Sequence, residues 1–248
     1  MRRHIVGSLL QKLLYVLLSF ALLGCAAANQ HVQIPGSSAA LNLSFAAQST
    51  KQQPSDRVDR PTSEPYTGSL SIFEDPKREE RLQISRVMDT LGIKEGSNVA
   101  DVGAGSGWFT VLAAKRVGTS GTVYAVDINT DYLKHIEKRS KDENLPNIRT
   151  ILGKEDDPLL PRGGIDAVLL LKTYHEIAEP VLLLKKTREA MRQGGLLGII
   201  DRNGKGDDHG IDARMVVKET ERAGFQLVTQ HDFVKSDGVD YFLVFRTR

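Results

Sequence analysis

The sequence from residue 66 onwards predicts an α/β fold in which helices cover both faces of a largely parallel sheet. Three observations lead to this prediction. Segments with the pattern of strands alternate with segments with the pattern of amphipathic helices. The early strand segments are apolar without interruption, as strands buried on both faces are. The last two strand segments are joined by a turn too short for a crossover helix, so they must pair antiparallel.

The individual elements follow from apolar spacing and from the glycines that end them. The first helix has one apolar stripe and stops at Gly92, and the last helix stops at Gly224. The predicted helices are 79–91, 108–117, 131–141, 180–191 and 211–223. The predicted strands are 98–102, 122–127, 148–152, 166–171, 196–201, 225–230 and 241–246.

A glycine loop follows the first predicted strand, in Asp101-Val102-Gly103-Ala104-Gly105-Ser106-Gly107. Ligands of open α/β sheets bind beyond the carboxyl ends of the strands, and glycines there let the backbone approach them closely. The N–H groups that begin the next helix face the same place. Asp127 ends the second strand, about 20 residues further on, where an acid reaches a ribose diol. Together these features predict a nucleoside-binding site.

The spacing of the loop favours a particular kind of nucleoside. It is Gly-x-Gly-x-Gly, whereas the dinucleotide fingerprint is Gly-x-Gly-x-x-Gly. Asp101 stands two residues before the first glycine, and its negative charge would repel a pyrophosphate. A cofactor that carries a cationic sulfonium and an ammonium group would be attracted to it.

Four segments resemble class I S-adenosylmethionine-dependent methyltransferases. They are VADVGAGSGWFT and VYAVDI, which resemble the first two motifs of that family, DAVLLLKTYHEI at the fourth strand, and TREAMRQGGL before the fifth. The resemblance covers residues 73–248. It implies a Rossmann-like sheet of seven strands in the order 3-2-1-4-5-7-6, with strand 7 antiparallel.

The resemblance also implies S-adenosylmethionine as the cofactor and gives roles to particular residues. Asp101 would lie near the amino group of the methionine part, Asp127 would hold the ribose hydroxyls, and Ile128 would flank the adenine. Many members have Gly-Asp after the third strand, whereas this chain continues Lys154-Glu155-Asp156, so Glu155 or Asp156 would take the adenine amino group. The methionine part would lie against Gly103, Ala104, Gly105 and Gly107.

The reacting end of the site, where the methyl group is transferred, is predicted in residues 172–176, directly after the fourth strand. A base is needed only if the methyl acceptor is a protonated oxygen or nitrogen, and His175 is the candidate base. His175 is alternatively a helix-start residue bonded to the backbone. Tyr174 is a second catalytic candidate, or else a wall of the cofactor pocket. Lys172 stands where metal-dependent catechol-type enzymes have an aspartate, so no metal is expected.

Two classes of function remain open at this stage. The first is a methyltransferase acting on a small-molecule acceptor, and the second is a non-catalytic envelope sensor or scaffold that binds S-adenosylmethionine or S-adenosylhomocysteine. A nicotinamide-linked oxidoreductase is disfavoured by the glycine spacing and by Asp101. The net charge is +2, with acidic and basic residues interspersed, so nucleic-acid binding is not expected.

The N-terminus has the pattern of an export signal. Arg2, Arg3 and Lys12 precede the apolar stretch 13–23, which is too short to span a bilayer and suits the hydrophobic region of a signal peptide. Leu22-Leu23-Gly24-Cys25 resembles the lipobox of bacterial lipoproteins, which implies a signal peptide over 1–24 and lipid attachment at Cys25. Cleavage near 26–28, or an uncut anchor, are the alternatives.

The segment 25–65 is predicted to be a flexible tether between the membrane and a domain over 66–248. It is rich in Gln, Ser, Ala, Pro and Thr and has few large apolar residues. The expected location is therefore the periplasmic side of a bacterial cell envelope. The start Arg2-Arg3-His4-Ile5-Val6 loosely resembles a twin-arginine signal, the route that exports folded proteins.

Overall fold

The computed structural model describes residues 56, 58, 60–234 and 238–247. The predicted signal peptide, Cys25 and most of the predicted tether lie outside these residues. Within them, seven strands form one sheet in the order β3-β2-β1-β4-β5-β7-β6, and β7 is antiparallel to both of its neighbours. This confirms the predicted strand order. The strands are β1 Asn98–Val102, β2 Thr122–Asp127, β3 Ile148–Leu152, β4 Ile165–Leu171, β5 Met191–Arg202, β6 Phe225–His231 and β7 Asp240–Thr247.

The helices agree with the prediction except at the first one, which is divided. Residues 79–91 were expected to form a single helix, but Gln83 adopts a left-handed φ of 47° and separates two helices. Leu82 and Ile84 are both buried. Two residues this close would point to different sides of one straight helix, so the break lets both face the core. The helices are α1 Arg78–Leu82, α2 Ile84–Thr90, α3 Trp108–Val117, α4 Thr130–Asp142, α5 Pro180–Ala190 and α6 Ala213–Arg222.

Apolar side chains fill both faces of the sheet. Successive residues of a strand point to opposite faces, so β7 contributes Phe242 and Val244 to one apolar cluster and Leu243 and Phe245 to the other. Helices α2, α3 and α4 pack on the first face, and α5 and α6 pack on the second. Helices therefore cover both faces, as predicted. Among the described residues, no helix is long and apolar enough to cross a membrane.

Residues 60–65 are part of the folded domain, although the sequence places them in the predicted tether 25–65. The Arg60 guanidinium donates to Glu219 Oε1 over 2.9 Å, and both side chains are 3% exposed. The Ser63 N–H donates to the His175 carbonyl over 3.2 Å. A buried ion pair and backbone hydrogen bonds hold this segment, and neither produces the apolar periodicity by which the domain start was placed at residue 66.

Candidate active site

A cavity of about 750 Å³ opens beyond the carboxyl ends of β1, β2 and β4. This is the place at which open α/β sheets bind their ligands. Residues 62–67, the glycine loop and the start of α4 form its walls, together with the segment that follows β4. A cavity of this size falls within the usual range for small-molecule sites, roughly 300–1,000 Å³.

The glycine loop is shaped by close contacts that exclude side chains. Gly103 has a φ of 76°, and a Cβ there would overlap the Thr173 side chain. Gly107 has a φ of 74°, and a Cβ there would lie 2.8 Å from Ile136 Cγ1. Both positions therefore need glycine for conformation and for space. The loop thus stays close to the end of β4 and to α4, with its backbone exposed to the cavity.

Asp127 is fixed at the edge of the cavity by backbone donors. Its Oδ2 accepts from the Gly105 N–H over 2.8 Å, and its Oδ1 accepts from the Asn129 N–H over 2.9 Å. Each oxygen keeps a further lone pair, so both can accept hydroxyl groups of a ligand. Burial raises the pKa of Asp127, although the backbone donors act in the opposite direction.

Asp101 and Arg78 place opposite charges at the methionine end predicted for the cofactor. Asp101 is buried, accepts from Thr110 Oγ1 over 2.6 Å and lines the cavity, and burial raises its pKa to about 6. The Arg78 guanidinium lies over the Trp108 ring, 4.5 Å from its centroid, and lines the same cavity. A carboxylate and a guanidinium that line the same cavity complement the ammonium and carboxylate of an amino acid.

A buried hydroxyl also points to a ligand at this end. Ser106 is 2% exposed, and within the described part of the chain its Oγ has no hydrogen-bond partner. Buried polar atoms in native proteins are nearly always paired, so this hydroxyl has capacity for a ligand atom. With Asp127, Asp101, Arg78 and the glycine loop, it gives a set of groups that fits S-adenosylmethionine.

The three residues predicted to contact the adenine do not all lie at the cavity. Ile128 lines the cavity and is 47% exposed, which leaves an apolar surface at the mouth of the site. Glu155 also lines the cavity, whereas Asp156 is exposed and does not. Of the two acids that the sequence could not separate, Glu155 is therefore the one with access to a ligand.

The two predicted catalytic residues point into the protein. Tyr174 is fully buried, and its hydroxyl donates to Glu219 Oε2 over 2.8 Å. His175 is 5% exposed, and its Nδ1 lies 2.9 and 3.0 Å from the two carboxylate oxygens of Asp201. Neither residue lines the cavity. Tyr174 is thus a core residue rather than a pocket wall, and His175 is bonded to a buried carboxylate as well as through its backbone.

Glu176, which belongs to the stretch 172–176 predicted for the reacting end, lines the cavity. So does the segment before α1, which the sequence did not single out for catalysis or binding. The Tyr66 N–H lies near the Glu176 carboxylate and favours its ionised form. The Tyr66 carbonyl accepts from the Tyr132 hydroxyl over 2.7 Å, so this segment is linked to α4. The Tyr66 ring also packs edge-on against Phe73, with 5.3 Å between the centroids. Two aromatic residues at the start of the predicted domain, Tyr66 and Phe73, were the signal available in the sequence.

The part of the chain that contains most of this site is similar to a known protein family. Residues 99–195, which contain the glycine loop, Asp127 and Glu176, match the family described as "Methyltransferase domain". The demethylmenaquinone methyltransferase of Staphylococcus carnosus is 31% identical over 111 residues, which cover 45% of this chain and 45% of that protein. The chain thus matches less than half of the length of that relative.

Solved structures share the architecture. A crystal structure of an S-adenosylmethionine-dependent methyltransferase from Aquifex aeolicus has a TM-score of 0.66 and 24% identity, and the match covers 72% of this chain and 97% of that one. The 4+2 cyclase SpnF matches with a TM-score of 0.59 and 12% identity, over 77% of this chain and 88% of that one. The second match shows that proteins named for different reactions share this fold.

These findings agree with the sequence prediction at the level of the domain. The family match, the strand order and the groups around the cavity all support a methyltransferase, and S-adenosylmethionine is the cofactor that they imply. The roles of individual residues stay predictions. Residues 99–195 thus resemble a methyltransferase domain, and the sheet that contains them has the fold seen in the Aquifex aeolicus methyltransferase.

Proposed function

We propose that the protein transfers a methyl group from S-adenosylmethionine to a small-molecule acceptor. The observation that carries this proposal is the cavity itself. Its lining includes the glycine loop and Asp127, which suit a nucleoside, and also Thr173, Glu176 and Ile177 from the segment after β4. The similarity to a demethylmenaquinone methyltransferase supports a small-molecule acceptor.

The chain's own residues would hold the cofactor and exclude water. Asp127 binds the ribose hydroxyls, while Asp101 and Arg78 bind the charged groups of the methionine part. S-adenosylmethionine supplies a methyl group already activated by sulfonium, so the protein mainly needs to align the acceptor with it. Residues 62–67 line the cavity, so the acceptor must fit beside them.

Binding and turnover test the proposal separately. The full chain, purified in detergent, is titrated in a calorimeter with S-adenosylmethionine, S-adenosylhomocysteine and NAD. We expect the first two to bind and NAD to give no heat. Transfer of a radioactive methyl group is then measured with small-molecule extracts of bacterial envelopes. Failure of both S-adenosyl compounds to bind would refute the proposal.

A second candidate is a cofactor-binding sensor or scaffold without turnover. The observation that favours it is the internal pairing of His175 with Asp201 and of Tyr174 with Glu219, because both predicted catalytic side chains are occupied. Binding of S-adenosylmethionine with no methyl transfer to any component of the extract would favour this candidate over the first.

We further propose that the protein acts on the periplasmic side of the envelope, held by a lipid on Cys25. The support comes from residues 1–25 alone, with their basic start, apolar stretch and lipobox-like end. S-adenosylmethionine is charged, so supply across a bilayer is a problem that export of the loaded protein would solve. Cys25→Ala should release the protein from membranes, and changing Arg2 and Arg3 to lysine should stop export if the twin-arginine route is used.

A further inference from the structure

Glu176 differs from the residues around it because its carboxylate faces the cavity. It belongs to the short 3₁₀ turn Tyr174–Glu176 that follows β4. Its side chain is 20% exposed, whereas His175 beside it is 6% exposed and Asp201 behind them is fully buried. Of these three titratable groups, Glu176 is the one that lines the cavity and that a bound acceptor would meet.

The three side chains form a line from the interior to the cavity. Asp201 accepts the His175 backbone N–H over 3.1 Å and lies against the imidazole Nδ1. The opposite ring nitrogen, Nε2, lies 3.8 Å from Glu176 Oε1. Asp201 thereby orients the imidazole so that its second nitrogen faces the glutamate. At 3.8 Å this contact is longer than a hydrogen bond, so His175 acts on Glu176 as a neighbouring polar group.

We infer that Glu176 is the proton acceptor of the reaction, positioned by the Tyr66 N–H and by the His175–Asp201 pair, and that the methyl acceptor is a weakly acidic hydroxyl compound such as a phenol. The inference rests on the proposed function. The acceptor O–H bond breaks, and its proton moves to the Glu176 carboxylate. The oxygen lone pair forms the bond to the methyl carbon as the carbon–sulfur bond breaks, and that electron pair stays on sulfur, which becomes a neutral thioether.

The charges around Glu176 suit this role. The pKa of Glu176 is raised to about 7, mainly by burial. His175 and the Tyr66 N–H oppose this rise, and the Asp201 and Asp127 carboxylates contribute to it. The Tyr132 phenol, from α4, faces the same carboxylate. A base whose pKa is close to neutral works well near neutral pH, because about half of it is ionised and the ionised form still binds a proton strongly.

The nearby Tyr66 N–H suggests a competing role in which Glu176 only holds residues 62–67 in the wall of the cavity. Glu176→Gln separates the two roles. The amide keeps the size of the side chain and an oxygen that accepts from the Tyr66 N–H, but it does not take up a proton at neutral pH. The exposed Glu221, on α6, provides the matched control Glu221→Gln.

The first measurement does not depend on turnover. Glutamate labelled at the carboxyl carbon is followed by NMR in the full chain as the pH is raised. We expect one carboxyl signal to titrate near pH 7, to be present in Glu221→Gln and to be missing in Glu176→Gln. If every glutamate signal titrates in the ordinary acidic range, Glu176 is not the base that we infer.

The second measurement uses phenol, para-chlorophenol and para-nitrophenol as acceptors with radioactive S-adenosylmethionine. We expect Glu176→Gln to lower kcat for phenol by about 10²–10⁴-fold, as loss of a general base does. At mildly alkaline pH the loss should be much smaller for para-nitrophenol, which ionises without help. An equal loss for all three phenols would indicate that Glu176 only holds residues 62–67 and would overturn the inference.

Measuring cofactor binding distinguishes a failure of this inference from a failure of the proposed function. Glu176→Gln should bind S-adenosylmethionine as tightly as the unchanged protein in a calorimeter. If the unchanged protein binds the cofactor but methylates none of the three phenols, the acceptor class is wrong while the proposed function stands. If the unchanged protein does not bind the cofactor, both the proposed function and this inference are refuted.

Discussion

The two ends of the cavity hold their charged side chains in different ways. At the β1–β2 end, Asp127 is held by backbone N–H groups of the adjacent loops and keeps lone pairs for a ligand. At the β4–β5 end, His175 and Tyr174 are bonded to side chains that come from distant parts of the chain. The first end is thus prepared to receive a polar ligand. The second buries its charges in internal pairs and presents Glu176 to the cavity.

The largest effect that this comparison predicts concerns the ion pair behind the β4–β5 end. Arg60→Ala leaves the Glu219 carboxylate buried without its cation, so we expect the free energy of unfolding to fall by about 3–5 kcal/mol. The measurement is urea unfolding of the full chain. Arg162→Ala removes an exposed partner of Glu189 and should cost only about 0–1 kcal/mol.

The same variant tests whether the two ends are independent. Arg60 contacts Tyr174, Ile177 and Glu219, all of which lie at or behind the β4–β5 end. At a temperature where Arg60→Ala stays folded, its affinity for S-adenosylmethionine should therefore match that of the unchanged protein. A clear loss of affinity would show that residues 60–63 support the cofactor end as well. The two ends of the cavity would then not be independent.

The difference between the two ends also explains what the sequence predicted well. The glycine loop and Asp127 follow directly from where β1 and β2 end, because the backbone path alone places them beside each other. The strand order followed from the family resemblance. Predicting the position of the glycine loop and Asp127, or the strand order, did not require knowing which distant side chains are in contact.

The β4–β5 end could not be predicted in the same way. His175 was a reasonable candidate base, but its burial depends on Asp201, which lies 26 positions later. Tyr174 is buried because Glu219 and Arg60 pair across 159 positions of the chain. Such pairings leave no periodic pattern in a single sequence. Glu176 lies in the predicted stretch 172–176, but the sequence could not show that it lines the cavity while Tyr174 and His175 are buried.

A second prediction tests the cofactor end. Asp127→Asn keeps the size of the side chain but removes the charge, and its amide nitrogen would face one of the two backbone N–H groups. Hydrogen bonds to charged groups contribute about 1.5–3 kcal/mol, so we expect affinity for S-adenosylmethionine to fall roughly 10- to 150-fold by calorimetry.

Asp142→Asn is the matched control for this change. Asp142 ends α4, pairs with Lys138 at the surface and lies away from the cavity, so its loss should leave the affinity unchanged. Equal affinities in Asp127→Asn and the unchanged protein would mean that the β1–β2 end does not bind the nucleoside through this carboxylate.

The smallest effect is a proton released when the cofactor binds next to Asp101. Burial raises the pKa of Asp101 to about 6 in the free protein, and a neighbouring ammonium group would lower it again. Below the pKa of the cofactor-bound protein, Asp101 is protonated with and without the cofactor. Above the pKa of the free protein, it is ionised in both cases. Proton release is therefore confined to the pH range between these two pKa values, just below pH 6.

Calorimetry in two buffers with different ionisation enthalpies measures the proton release. We expect a fraction of one proton near pH 6 and none at alkaline pH. Asp101→Asn should abolish the release. If the release persists in that variant, the proton comes from another group, and the cation of the ligand does not lie beside Asp101.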